Sequence, residues 1–112
     1  MQILSKSGEY ENIVEFASRD AVSAHLAVGS GDSHAHIIEF RPGGSIGRHE
    51  AGFGQLFAVL TGSGWVSGDD ECRVEVDAGD VVYFERGEWH AKGSDSGMRA
   101  LVVQIRDLAL AL

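Results

Sequence analysis

The sequence predicts an all-β fold, an antiparallel barrel or sandwich, and three observations carry that reading. Glycine is frequent, at 15 residues, while proline occurs once. The glycines fall between short apolar runs, so that a turn signal recurs roughly every eight to twelve residues, as strands joined by tight turns require. Within the runs, apolar and polar residues alternate with the two-residue period of a half-buried strand.

Taken in order, the runs are Ala21 to Val28, His34 to Phe40, Gln55 to Leu60, Gly64 to Ser67, Cys72 to Val76, Asp80 to Phe84 and Met98 to Ile105. Between them stand the turn sequences GSGD, RPGG, TGSG, SGDD, AGD and GSDSG. One stretch breaks the pattern. From Tyr10 to Arg19, Ile13, Val14 and Phe16 recur at helical spacing, so a short N-terminal helix is the expectation there. In His34 to Arg41 one face carries His34, His36, Ile38 and Phe40, and the other ends in Glu39 and Arg41. The charged face suits solvent, which turns the histidine face inward. In Met98 to Ile105 both faces are largely apolar, so that strand needs cover on both sides. A second copy of the chain would supply it, as would the apolar end from Leu108 to Leu112 folding back on its own barrel.

The bulk numbers bound the function. A chain of 112 residues suits one domain spanning residues 1–112. A formal net charge of −8 argues against nucleic acid and anionic membrane, which both select clustered Lys and Arg. The single cysteine, Cys72, excludes an intrachain disulfide and fits a reducing compartment. No apolar run approaches the length of a membrane span, and MQILSKSGEY lacks the apolar core of a signal peptide, so a cytoplasmic location is expected.

Two stretches concentrate the chemistry: GGSIGRHEAGFGQLFAVLTG at 43–62 and GDVVYFERGEWHAKGS at 79–94. Each sets a histidine at the end of a Gly-rich turn beside an apolar strand. Together they resemble the two motifs of the cupin superfamily, in particular small bacterial cupins reading GRHxAxxxQLF. In the first motif Gly43, His49 and Gly62 stand at the family spacing, Ala51 replaces the second histidine, and Gln55 replaces the glutamate. In the second, Gly79, Gly87 and His90 match, Glu85 replaces the proline and Ser94 the asparagine.

The resemblance implies a jelly-roll barrel, or double-stranded β-helix, with a divalent transition metal (Zn, Fe, Ni or Mn) on His49, Gln55 and His90. Imidazole suits those ions, and three protein ligands leave positions open for water or substrate. Glutamine is a neutral donor, so a metal held here keeps its full charge and favours an oxygen-rich ligand. Phe57 and Val59 share the face of Gln55 and would form the apolar wall of the pocket. His36 and Tyr83 are the remaining pocket residues, His36 as a candidate fourth ligand and both as candidate acid–base groups. Arg48 and Lys92, which flank the histidines, could attract an anionic substrate, but exposed loop charges are the preferred reading for both. A metal-dependent oxygenase, isomerase or hydrolase is one functional expectation; a non-catalytic small-molecule binder or sensor, with or without a structural metal, is the other. A homodimer is expected in either case.

Overall fold

The computed structural model describes residues 1–4 and 9–111, so Leu112, part of the apolar end noted above, lies outside the described residues. Among the described residues ten strands, all paired antiparallel, follow in chain order. They are β1 (Gln2–Ile3), β2 (Glu11–Asn12), β3 (Val22–Ser23), β4 (Ala27–Phe40), β5 (Gly44–Glu50), β6 (Gly54–Ser67), β7 (Val74–Asp77), β8 (Val81–Phe84), β9 (Trp89–Ser94) and β10 (Met98–Leu110).

One strand organises the rest. The first half of β6 lies between β8 and β10, with Gln55 opposite Phe84 and Gln104, and Phe57 opposite Val82 and Val102. Its second half lies between β7 and β9, with Val66 opposite Val74 and Lys92. The result is a five-strand layer, β1-β8-β6-β10-β4, and a second layer, β5-β9-β6-β7, that share β6. Side chains from the facing sides fill the space between them: Phe40, Phe57, Val59, Val66, Val76, Val82, Phe84, Met98, Ala100 and Val102 form one buried cluster.

The turn from one layer to the other is made at Gly62. Its φ is 78°, a left-handed conformation that side chains disfavour, and a Cβ there would stand 2.2 Å from the Gly97 carbonyl oxygen. TGSG therefore marks a bend inside a strand, not the reversal that a turn sequence announces. GSGD behaves alike. It lies within β4, opposite the register shift of β10 between Ile105 and Asp107, where Gly31 takes φ 90° beside the Arg106 side chain.

The expected helix over Tyr10–Arg19 is not formed. Phe16 and Ala17 both take positive φ, at 61° and 54°, which no right-handed helix accommodates. Val14 and Phe16 are 79% and 95% exposed, so their helical spacing finds no surface to cover. Instead β2 and β3 pair as a short two-stranded ribbon around a turn at Glu15–Ser18. The described C-terminal end does not fold back but continues β10, with Leu108, Ala109 and Leu110 paired to Gly29, Val28 and Ala27 of β4. Leu108 packs against Gly54, and its carbonyl accepts a hydrogen bond from the Tyr83 hydroxyl at 3.3 Å. Among the described residues no helix is long and apolar enough to cross a membrane.

Gly62→Ala is expected to cost at least ~2 kcal/mol, since it combines the positive-φ penalty with a backbone collision. Urea unfolding measures it, and a loss below ~0.5 kcal/mol would show that the bend tolerates a side chain.

Candidate functional site

The site forms at one end of the space between the layers. His49 on β5 and His90 on β9 are directly paired across neighbouring strands, and their ring centroids are 4.5 Å apart. Gln55 enters from the opposite layer on the same row as Phe84. The structure thus brings His90, distant in sequence, to the end of the fold that holds His49 and Gln55. They differ sharply in environment. His49 is exposed, and its Nδ1 lies 2.7 Å from the Gly47 carbonyl oxygen, a geometry in which Nδ1–H donates and Nε2 keeps its lone pair. His90 is 1% exposed, lies 4.7 Å from the Phe84 ring, and has no hydrogen-bond partner for either ring nitrogen among the described residues.

The residue that sequence reasoning misplaced is Lys92. It is no loop charge: it is 2% exposed, and its Nζ donates a hydrogen bond to Gln55 Oε1. The ammonium also lies 4.9 Å from the Phe57 ring centroid and 4.8 Å from that of Phe84. A signal for this existed. Counting in twos from His90 along β9 places Lys92 and Ser94 on the inward face, and all three are buried. Ser94, where the family motif has asparagine, accepts from the Gly97 amide and donates to the Ser63 carbonyl, fixing the turn after β9.

Burial dominates the electrostatics. It pushes the Lys92 ammonium down to about 7, since removing a charge from water favours the neutral amine. His90 is pushed down to about 3, first by burial, then by the charge of Lys92 and then by His49. At neutral pH His90 is therefore an uncharged imidazole with one donor and one acceptor nitrogen. The nearest acid in sequence, Glu88, is engaged elsewhere: its carboxylate meets the Met1 ammonium and accepts from the Glu85 amide.

The other expected pocket residues separate. Phe57 meets the site through Lys92, whereas Val59, one row deeper, belongs to the buried cluster. Tyr83 alternates with the inward Val82 and Phe84 and so occupies the other face of β8, bonded to Leu108; burial raises its pKa, with Glu85 and Glu88 adding to the effect. His36 shares the inward face of β4, opposite Val102, but its ring is exposed and stacks on His34 at 6.4 Å; His34 in turn stacks on Phe53 at 5.9 Å. Arg48 is tied down outside the site by the Gly68 and Asp69 carbonyls and by Glu71.

Whether these residues suit a transition metal turns on the two histidines. His90 offers buried nitrogens with no partner, and His49 stands beside it, which matches the preference of such ions for imidazole. Ala51 contributes no donor, and Gln55 becomes available once Lys92 releases its oxygen. Among the described residues no three His, Cys, Asp or Glu side chains form a ready-made cluster, so a metal here would depend on the glutamine.

The two depressed values set a pH dependence. Between about 7 and 10.5 the unfolded chain holds a proton on Lys92 that the folded chain has lost, so folding stability rises with pH through that window. His90 does the same between about 3 and 6.5. Denaturant unfolding of metal-free protein at a series of pH values is expected to show wild type gaining on Lys92→Met above pH 7, with a slope approaching one proton. Parallel curves would show that Lys92 titrates normally.

Comparison with known proteins agrees with this architecture. Residues 36–104 match the family described as Cupin domain. A segment of 71 residues, 62% of this chain, is 34% identical to an (R)-mandelonitrile lyase from Granulicella tundricola, and covers about half of that protein, 54%. Among solved structures, a predicted oxalate decarboxylase from Thermotoga maritima superposes with TM-score 0.61 at 20% identity, over 95% of this chain and 99% of its own. A conserved Streptococcus pyogenes protein of unknown function gives 0.64 at 18% identity, over 88% and 90%. A cupin superfamily protein from Desulfitobacterium hafniense gives 0.63 at 18%, over 73% and 77%. At these identities the structures speak for the fold, and the family match spans well over half the sequence: the chain belongs to the cupin family.

Proposed function

We propose that the end of the barrel bearing His49, Gln55 and His90 binds a small oxygen-rich molecule with the help of a divalent transition metal, Zn, Fe, Ni or Mn, held by those three residues. The observation that carries this reading is His90: a fully buried imidazole with both nitrogens unsatisfied, facing a second imidazole 4.5 Å away. With no carboxylate among its ligands, such an ion would supply undiminished positive charge as a Lewis acid. The chain's own residues do the rest. Phe84 and Phe57 exclude water from the inner side, and His90 is kept neutral and able to donate and accept at once. His49, with Nδ1 committed to Gly47, presents Nε2.

Elemental analysis of untagged protein is the test, repeated on His49→Ala, His90→Ala and Gln55→Ala. Stoichiometric metal in wild type, lost in both histidine variants, is the expected result, and retention in Gln55→Ala alone would make the glutamine a pocket residue. A specific observation favours a second reading, a metal-free binding protein: Lys92 already presents a cation to Gln55. Wild type that stays metal-free even after reconstitution would select that reading. The likeness to an (R)-mandelonitrile lyase supports assaying turnover of (R)-mandelonitrile first.

A homodimer is part of the proposal. On the outer face of the five-strand layer, Ile37, Leu101 and Ala58 form one transverse row and Ala35, Val103 and Leu56 the next. Ile37 and the nearby Leu60 are 48% and 45% exposed in the single chain. Sedimentation of wild type is expected to give a dimer and of Leu101→Glu a monomer; a monomeric wild type ends the idea.

A further inference from the structure

Lys92 sets a problem that the fold alone does not solve. Its ammonium is buried, yet every ion pair described in the structure lies elsewhere. Glu88 faces Met1; Arg48, Arg86, Arg99 and Arg106 pair with Glu71, Asp107, Glu39 and Asp32. What Lys92 has is a neutral amide oxygen and two ring faces. Buried charges are ordinarily balanced by an opposite charge, because a neutral acceptor offsets only part of the lost hydration. Beside this uncompensated cation sits His90, buried, with neither ring nitrogen hydrogen-bonded among the described residues. An unbalanced cation and an unused N–H donor at one point define the missing group: an anion with two acceptor atoms.

We infer that Lys92 and His90 form a carboxylate subsite, in which one oxygen of a small carboxylate pairs with the Lys92 ammonium and the other accepts from the His90 ring. The carboxylate enters beside His49, the exposed member of the pair. No covalent step is involved. The inference rests on the reading of this end of the barrel as a small-molecule site, but not on the metal, since both charge partners belong to the protein. It also gives Gln55 a second role, holding the ammonium in place until the anion arrives.

The experiment compares acids with neutral molecules of the same shape. Wild-type protein is stripped with 1,10-phenanthroline, because common chelators are themselves polycarboxylates, and titrated calorimetrically at about pH 6, where the amine is protonated and both acids are ionised, with acetate against acetamide and benzoate against benzamide. Each acid is expected to bind at least about tenfold more tightly than its amide, the gain of a charge-assisted over a neutral hydrogen bond. Lys92→Met should erase that preference and Lys92→Arg keep it. Equal affinity for acid and amide in stripped wild type overturns the inference without any variant having to fold, as does an acid preference that survives Lys92→Met. Acid binding that appears only after metal is restored also overturns it, while supporting the metal reading.

Discussion

The structure depends on a single strand serving two sheets. Because β6 bends at Gly62, its residues before the bend pair with β8 and β10 and those after it with β7 and β9. The inward side chains on both halves then face the same interior: Phe57 and Val59 from one, Val66 from the other. The functional site inherits this geometry. Gln55 stands on the first half of β6, while the backbone of Lys92 is paired to Val66 on the second. The hydrogen bond between the two side chains therefore spans the interior from one layer to the other. A change at the bend would alter the position of the amide relative to the amine before it altered either residue.

That arrangement makes the polar end of the barrel electrostatically unusual for an acidic protein. The surface is negative overall, but no carboxylate is described in contact with Lys92. The burial that lowers the lysine also lowers His90, and the charge of Lys92 lowers the imidazole further. The site resolves this by keeping the imidazole neutral. A dication bound at His49 and His90 would meet the same repulsion from the ammonium, so metal occupancy and the charge of Lys92 oppose one another. An anionic ligand relieves both conflicts, because it screens the lysine from whatever cation lies on the histidines.

Much of the fold was legible, and the errors share a cause. The motif glycines announced the architecture because Gly43, Gly62, Gly79 and Gly87 all sit at positive φ, a conformation that favours glycine. The same residues misled about strand length. Gly, Ser and Asp mark any departure from regular backbone, whether the chain reverses or only bends, and GSGD and TGSG are bends. The Tyr10–Arg19 helix failed because spacing shows only that residues share a face, not that a surface awaits them; Phe16 remains in solvent. His36 failed as a pocket residue for a related reason. It lies on the same face of β4 as the buried Phe40, but four residues away, where its ring is exposed and stacks on His34.

Lys92 is the instructive miss, since its position followed from alternation while its chemistry argued the other way. Lysine is among the residues least often buried, so a single sequence favours placing it outside. What reverses that preference is the run Trp89–Ser94, where an exposed indole, a buried imidazole and a buried serine leave position 92 no outward direction. The strand's geometry is fixed by pairing on both sides, to β5 and to β6, and a paired strand cannot rotate one residue outward. The cost of burying the ammonium is then imposed by the fold. A protein that tolerates such a cost at one point, beside an unsatisfied histidine, has its binding energy for an anion stored there in advance.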